Sequence, residues 1–409
     1  MKNPVSLFKL PLFIISLLIL CLSSCNPKSK TPDSYVVMLS LDGFRWDYTD
    51  KFPTPNFDKI ETTGVKAITL QPSYPTKTFP NHYTMATGLY PDHNGIVMNN
   101  FYAPELDAYY SIQDRKTVEN PAFYVGEPIW VTAEKQGITS ASCFWVGSDA
   151  PIMGIQPKYW KKYEHNLPFA QRIDTVIYWL SLPLKLRPRL ITWYMHEPDS
   201  KGHKLGPNNP ELGKTIILLD SLLGVFMKKI NDLPNSEEIN IIVTSDHGMC
   251  ETSSTRWINL SDYLNKEWFE IIEGGNPNYI FFAKTDKHQI IKDSLQKIPH
   301  VQAWTKGEVP KRLHYGTSPR VGDFILVADS GYVVSWKEAP PPFTGGAHGY
   351  DNRNTDMHAI FYAYGPAFKV GFVQPTFNNT DIYPLICEIL NLKPAKVDGK
   401  LENVKKMLK

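Results

Sequence analysis

The chain has 409 residues, with 43 Lys plus Arg against 41 Asp plus Glu and a formal charge of +2. Its 42% hydrophobic and 21% charged content excludes a disordered chain, a collagen-like repeat and a polytopic membrane protein. Near-neutrality excludes a general nucleic-acid binder, which needs a basic excess, and the apolar material suffices for one large or two ordinary domains.

Lys2 and Lys9 precede an apolar run from Leu10 to Leu22. That run is shorter than the roughly 20 residues that span a bilayer and has the form of an export-signal core. It ends Leu22-Ser23-Ser24-Cys25, which resembles the bacterial lipobox, and a polar stretch, Asn26 to Asp33, follows. Residues 1–24 are therefore expected to be a lipoprotein signal peptide, Cys25 the lipidation site, 25–33 a tether and 34–409 the folded domain. The protein is then exported and membrane-anchored, on the periplasmic or cell-surface side. Without residues 1–24 the chain carries 41 charges of each sign. Cys143, Cys250 and Cys387 are too widely spaced for a disulfide framework or a CxxC metal site and are expected in the core.

Tyr35 to Leu41 is an apolar run that ends in Asp42-Gly43. Thr54 and Pro55 start a helix that Gly64 can end. Leu190 to Met195 runs into His196-Glu197-Pro198-Asp199, and Ile239 to Thr244 into Ser245-Asp246-His247-Gly248. Between them, Asn209 to Leu233 carries a helical stripe of Leu212, Ile216, Leu219, Leu223, Phe226 and Ile230. Ala359 to Ala363 is a further strand. Near-continuous apolar runs mark strands buried on both faces, so the chain reads as an α/β sandwich with a mainly parallel sheet. Ligands of such sheets gather beyond the carboxyl ends of the strands, which would make the acidic strand ends neighbours. Residues 264–345 show a different rhythm. Tyr279 to Ala283, a polar helix around Lys287 to Ile298, Val301 to Thr305 and Asp323 to Val327 suggest a small α+β cap inserted in the same domain. No internal repeat or low-complexity tract appears.

The chemistry-bearing residues are few. Asp199 and His203 stand four apart, on one helical face or in a loop, since Pro198 and Gly202 permit either. Asp42 and Asp246-His247 are delivered to strand ends, where a buried carboxylate must be paired or hold a metal. His348 lies in the glycine-rich Gly345-Gly346-Ala347-His348-Gly349. Three Asp and three His suit two zinc ions better than Mg²⁺ or Ca²⁺, which prefer oxygen alone. Thr78, in Thr76-Lys77-Thr78-Phe79-Pro80-Asn81-His82, would open a helix whose free N–H groups favour an alkoxide and an incoming phosphate. Thr76 is a rival nucleophile on the same argument.

Six motifs, DGFR from Asp42, TKTFPNHYT from Thr76, TGLYPDHNGIVMNNFY from Thr87, EPDSKGH from Glu197, SDHGM from Ser245 and GGAHGY from Gly345, occur in the order seen in one family. The chain resembles the nucleotide pyrophosphatase/phosphodiesterase (type I phosphodiesterase) family of the alkaline phosphatase superfamily, from about Tyr35 to its end. The resemblance implies an alkaline-phosphatase-like fold for a catalytic domain over 34–409. It implies one zinc at Asp199, His203 and His348, another at Asp42, Asp246 and His247, and Thr78 as the nucleophile that takes the phosphoryl group. Asn99 would donate to a phosphate oxygen, Phe79 and Tyr163 would sandwich a nucleobase, and Tyr194 would line that pocket. Val146 stands where many members carry proline. The activity implied is zinc-dependent hydrolysis of nucleotide phosphodiester and pyrophosphate bonds through a phospho-threonine intermediate, releasing nucleoside 5′-monophosphates. Few cations near the site, Lys77 and Lys204, favour a diester over a monoester. The implied partner is a small nucleotide or phosphodiester, with no specific nucleic acid and the membrane met only through the lipid anchor. Alternatives are a choline-phospholipid phosphodiesterase and a non-catalytic phosphate-binding lipoprotein.

Overall fold

The three longest apolar runs become adjacent strands, because each alternates side chains toward two cores. The computed structural model describes residues 1, 34–338 and 340–409. The expectations for the signal peptide, Cys25 and the tether lie outside these. Eight strands form the main sheet: β1 (Tyr35–Leu41), β2 (Val65–Ala67), β3 (Ser140–Cys143), β4 (Tyr159–Lys161), β5 (Leu190–Met195), β6 (Ile239–Thr244), β7 (Phe361–Tyr364) and β8 (Phe372–Gln374). Their spatial order is β8-β2-β7-β6-β1-β5-β3-β4. Only β7 runs antiparallel to its neighbours, so the sheet is mainly parallel, as expected.

Central strand β1 shows how the sheet is held. Val36 and Met38 enter one core, while Tyr35, Val37, Leu39 and Leu41 enter the other. The second core is covered by helices α1 (Pro55–Thr63), α3 (Phe169–Ser181) and α5 (Pro210–Asn231). The α5 stripe, including Leu212, Ile216, Leu219, Leu223, Phe226 and Ile230, is buried there, and Asn209 caps the helix by accepting from Glu211 N–H. Burying each such side chain contributes about 1.5–3 kcal/mol. Helix α2 (Thr78–Thr87) and the helix Ile382–Leu390 cover the first core. The helix expected from Pro55 ends at Thr63 before Gly64.

Strand β7 starts two residues later than the sequence suggests. Ala359 N–H bonds to Leu70 and Ile360 N–H to Phe44, which keeps these residues out of the ladder that joins Phe361 to Thr244. Cys143, Cys250 and Cys387 are free thiols, all buried. Residues 269–328 form a four-stranded antiparallel sheet of Phe269–Gly275, Asn278–Ala283, Phe324–Ala328 and Val301–Thr305, in that spatial order. The helix His288–Leu295 packs Ile291 and Leu295 on one face with Phe281 and Leu326, and Ile280 and Ile325 face the first core. Among the described residues, no helix is long and apolar enough to cross a membrane.

Candidate active site and metal centre

The carboxyl ends of β1, β5 and β6 lie side by side, and each delivers one aspartate. Asp42 follows β1, Asp246 follows β6, and Asp199 opens helix α4 (Asp199–Leu205) beyond β5. The i, i+4 pair Asp199 and His203 is thus helical. Asp199 N–H donates to Asp42 C=O, locking the two loops together. Gly43 has a φ of +66°, and a Cβ there would lie 2.9 Å from the Asp199 Cβ, so glycine is what lets these loops touch.

His348 arrives by a route the sequence hides. Thr344–Ala347 is a strand, not a loop, and it pairs antiparallel with Cys250–Ser253 just past His247. The ladder sets His348 on His247, with ring centroids 3.6 Å apart. A Cβ on Gly346 would come within 2.4 Å of the Gly202 carbonyl, so this close approach of α4 and the strand also requires glycine.

Each histidine is oriented from behind. Nδ1 of His203 donates to Gly346 C=O, Nδ1 of His247 to Gly248 C=O and Nδ1 of His348 to Thr76 C=O, each at 2.9 Å. A carbonyl can only accept, so each Nδ1 holds the proton and each Nε2 presents a lone pair. Those lone pairs face carboxylate oxygens. His247 Nε2 is 3.5 Å from Asp42 Oδ1 and 3.1 Å from Asp246 Oδ2, while His203 and His348 Nε2 lie 3.5 and 3.6 Å from Asp199 Oδ1. These three carboxylate oxygens are buried without a hydrogen-bond donor.

Lone pairs facing lone pairs repel unless a cation or added proton lies between them, so the donor set fits metal ions. Two overlapping groups, Asp42/Asp246/His247 and Asp199/His247/His348, have ligand atoms within 4.8 Å of one another. The 3.1–3.6 Å separations match the edge, about 3.3 Å, of a tetrahedron with ~2.0 Å metal–ligand bonds. His203 meets Asp199 alone and is the most open of the six.

Two of the remaining carboxylate oxygens are tethered. Tyr194 Oη donates to Asp42 Oδ2 at 2.6 Å, and Gly43 N–H and Ser245 Oγ donate to Asp246 Oδ1. Tyr194 therefore serves Asp42 besides lining the cavity. Burial, with Asp246 and Asp199 nearby, holds the Asp42 carboxyl well above its usual range. Burial would also raise Asp246, but His247 and His82 outweigh it and hold that carboxyl low. Burial and the neighbouring His247, His203 and Lys77 push His348 well below the imidazole range. Asp42, Asp246 and Asp199 thus crowd one another, and a cation among them would relieve that repulsion.

The structure also distinguishes the two threonines. Thr76 is fully buried, its hydroxyl donating to Tyr350 C=O and accepting from Gly349 N–H. Thr78 opens α2, and its Oγ1 lies 3.3 Å from His247 Nε2. Asn99 Oδ1 accepts from Phe79 N–H at 3.0 Å, which leaves the amide NH₂ as the free, donating end. His82, unremarked in the sequence, bonds Thr78 C=O and Ser40 Oγ and sits 3.4 Å from Asp246. Lys77 donates to Asn276 C=O, and burial pushes its amine down to about 8.

A cavity of about 300 Å³ opens from this cluster, and Thr78, Phe79, Tyr163 and Tyr194 all line it, as does Val146. Arg115 and Asp149, paired there, add a cation and an anion that the sequence did not flag. Asp149 is 7% exposed and its Oδ1 has no partner.

Residues 36–351 match the family model for type I phosphodiesterase/nucleotide pyrophosphatase. Ectonucleotide pyrophosphatase/phosphodiesterase family member 3 from Rattus norvegicus is 36% identical over 95% of the chain and 46% of its own length. Venom phosphodiesterase 2 from Crotalus adamanteus is 37% identical over 92% of the chain and 48% of its own length. The chain thus spans about half the length of these relatives, but 82% of human family member 5, at 34% identity. The structure of murine member 5 superposes with a TM-score of 0.88 at 36% identity, covering 92% of this chain and all of that one. An inactive variant of that murine protein has been solved in complex with AMP. The chain belongs to the type I phosphodiesterase/nucleotide pyrophosphatase family, and its sheet is the alkaline-phosphatase-like one of these neighbours.

Proposed function

We propose that the protein is a zinc-dependent nucleotide pyrophosphatase/phosphodiesterase that splits nucleotide diesters and pyrophosphates into nucleoside 5′-monophosphates. The observation that carries this reading is the convergence of three orphaned carboxylate oxygens and three imidazole lone pairs beside the Thr78 hydroxyl. Asp42, Asp246 and His247 would hold one ion and Asp199, His203 and His348 the other. When bound, such ions supply the positive charge that stabilises an oxyanion at neutral pH and the charge of a transferring phosphoryl group.

The chain's own groups do the rest. The N–H groups at the start of α2 and its dipole bias the Thr78 oxygen toward the anionic form. That oxygen attacks phosphorus, the leaving oxygen departs on the opposite side, and a nucleotidyl ester forms on Thr78. Water then cleaves the ester and frees the 5′-monophosphate. The Asn99 NH₂ donates to a non-bridging oxygen in both steps. Phe79 and Tyr163 offer aromatic faces to a base, and Asp149 Oδ1 offers an acceptor to an amino or imino group on its edge. The AMP captured with a structural neighbour supports a nucleotide in this place.

The experiment is hydrolysis of ATP with separation of products. AMP and pyrophosphate should appear, chelation should stop the reaction, and Zn²⁺ should restore it. Release of ADP and phosphate, or indifference to strong chelator, contradicts the reading.

A further inference from the structure

The metal cluster occupies the carboxyl edge of the main sheet, and the opposite edge carries a feature that the chemistry leaves unused. Between α3 and β5 the chain crosses that edge in the loop 182–189, Leu-Pro-Leu-Lys-Leu-Arg-Pro-Arg. Leu184 is 64% exposed and Leu186 45%, and Tyr178, in the last turn of α3, is 63% exposed. Pro183 and Lys185 are exposed beside them. Large apolar side chains grouped on an outer surface mark a place where something docks.

The loop is built to hold this shape. Leu186 N–H and Arg187 N–H both donate to Pro183 C=O, and Arg187 Nε donates to Leu182 C=O, so three bonds close the turn and leave its leucines outside. The loop also meets the point where the chain enters the domain. Arg189 Nε donates to Ser34 C=O, Val36 N–H donates to Arg189 C=O, and the Arg187 guanidinium lies 5.8 Å from the centre of the Tyr35 ring. The exposed loop and Ser34 thus belong to one surface.

Two arguments name the occupant. A Cys25 lipidated as its motif suggests stands nine residues before Ser34. Such a stretch spans at most about 30 Å, whereas a domain of this size is about 50 Å across, so an anchored domain would turn the edge that bears Ser34 toward the lipid. The second argument is charge. No Asp or Glu occurs from Thr175 to His196, whereas Lys185, Arg187 and Arg189 do. Acids of the same edge, Asp232 and Glu237, precede β6, two strands from β5. The cations complement anionic headgroups, and the leucines complement the acyl boundary beneath them. A second copy seated on the loop would instead bring like charges together. We propose that the Pro183–Arg187 loop and Tyr178 form a lipid-facing surface that rests on an anionic bilayer. The metal edge, about 20 Å away along β1, then opens to the aqueous side.

The test uses the full chain recovered from bacterial membranes and reconstituted into vesicles of phosphatidylethanolamine with phosphatidylglycerol. Leu186→Cys carrying an environment-sensitive fluorophore should shift its emission to the blue in vesicles. Lipid brominated near the headgroup end of its chains should quench it, because such a surface lies roughly 5–10 Å into the headgroup–acyl boundary. The same label at Ile290→Cys, an exposed position on the helix His288–Leu295, should do neither. Cys143, Cys250 and Cys387 are buried and stay unlabelled. Adding Leu184→Ser and Lys185→Glu to the labelled chain should remove most of the shift and leave the Tm unchanged. Emission from Leu186→Cys that stays at its aqueous wavelength in vesicles overturns the proposal. So does a shift that grows with protein concentration and ignores brominated lipid, which would mean a second copy, and so does a full chain that fractionates away from membranes.

Discussion

The metal edge and the cavity wall are neighbours built in opposite ways. Every candidate ligand of the edge is set at the end of a strand or in a short helix, and the side chains of all but Asp199 have a second bond to backbone or a tyrosine. Asp42, Asp246, His247 and His348 are all buried. The wall, from Arg115 to Phe169, is largely loop, and His165 is exposed at its rim. The edge imposes a geometry that the chemistry cannot vary, whereas the wall can change residue by residue without disturbing the sheet. Reactivity and substrate choice are therefore separable in this fold, and substitutions can test that separation.

The largest effect belongs to the edge. Thr78→Ala should lower turnover by about 10⁴-fold or more while bound zinc is unchanged, because the hydroxyl supports no other structure than its contact with His247. Rapid-quench kinetics with metal analysis reads both quantities, and near-normal turnover would remove Thr78 from the mechanism. Tyr194→Phe frees Asp42 Oδ2 and should cost about 10-fold in metal affinity or activity, measured by competition with a chelator. An equal affinity would mean that Asp42 is held well enough by the chain alone.

A wall substitution should behave differently. Tyr163→Ala should raise KM for ATP about tenfold and leave kcat within a few-fold, the pattern of a lost stacking surface. A collapse of kcat with KM unchanged would place Tyr163 with the edge and erase the comparison. The smallest effect lies in the antiparallel sheet. Burial raises the Glu273 carboxyl to about 7. Unfolded glutamate loses its proton near pH 4.3, so the unfolded chain gains stability first and the fold loses it as pH climbs from there to 7. Glu273→Gln should therefore stabilise the protein at pH 8 relative to pH 4, by less than about 2 kcal/mol because the group is partly solvated. Thermal melts at the two pH values check this, and an equal shift at both contradicts it.

Much of the edge was legible in the sequence. β1, β5 and β6 have the limits that their apolar runs suggest, because a strand buried on both faces leaves no polar gap to blur its ends. The Thr344–Ala347 strand was hidden, because Gly-Gly-Ala disfavours a strand and only its partner Cys250–Ser253 and the approach of α4 make it one. Thr76 and Thr78 were indistinguishable in sequence, since both flank a helix start. What separates them is that Gly349 and Tyr350, far along the chain, occupy the Thr76 hydroxyl. His82, Ser245 and Arg172 were missed for the same reason: they act on groups 42, 201 and 24 positions away. The Asp149–Arg115 pair carries no local pattern at all.

Metal content per chain tests the central claim most directly. Purified protein loaded with Zn²⁺ and freed of excess by gel filtration should carry two zinc ions, measured by elemental analysis. Asp246→Ala should lose at least one, and Thr78→Ala none. Wild-type protein with no bound metal, or the same count in Asp246→Ala, would contradict the convergence on which the chemistry depends.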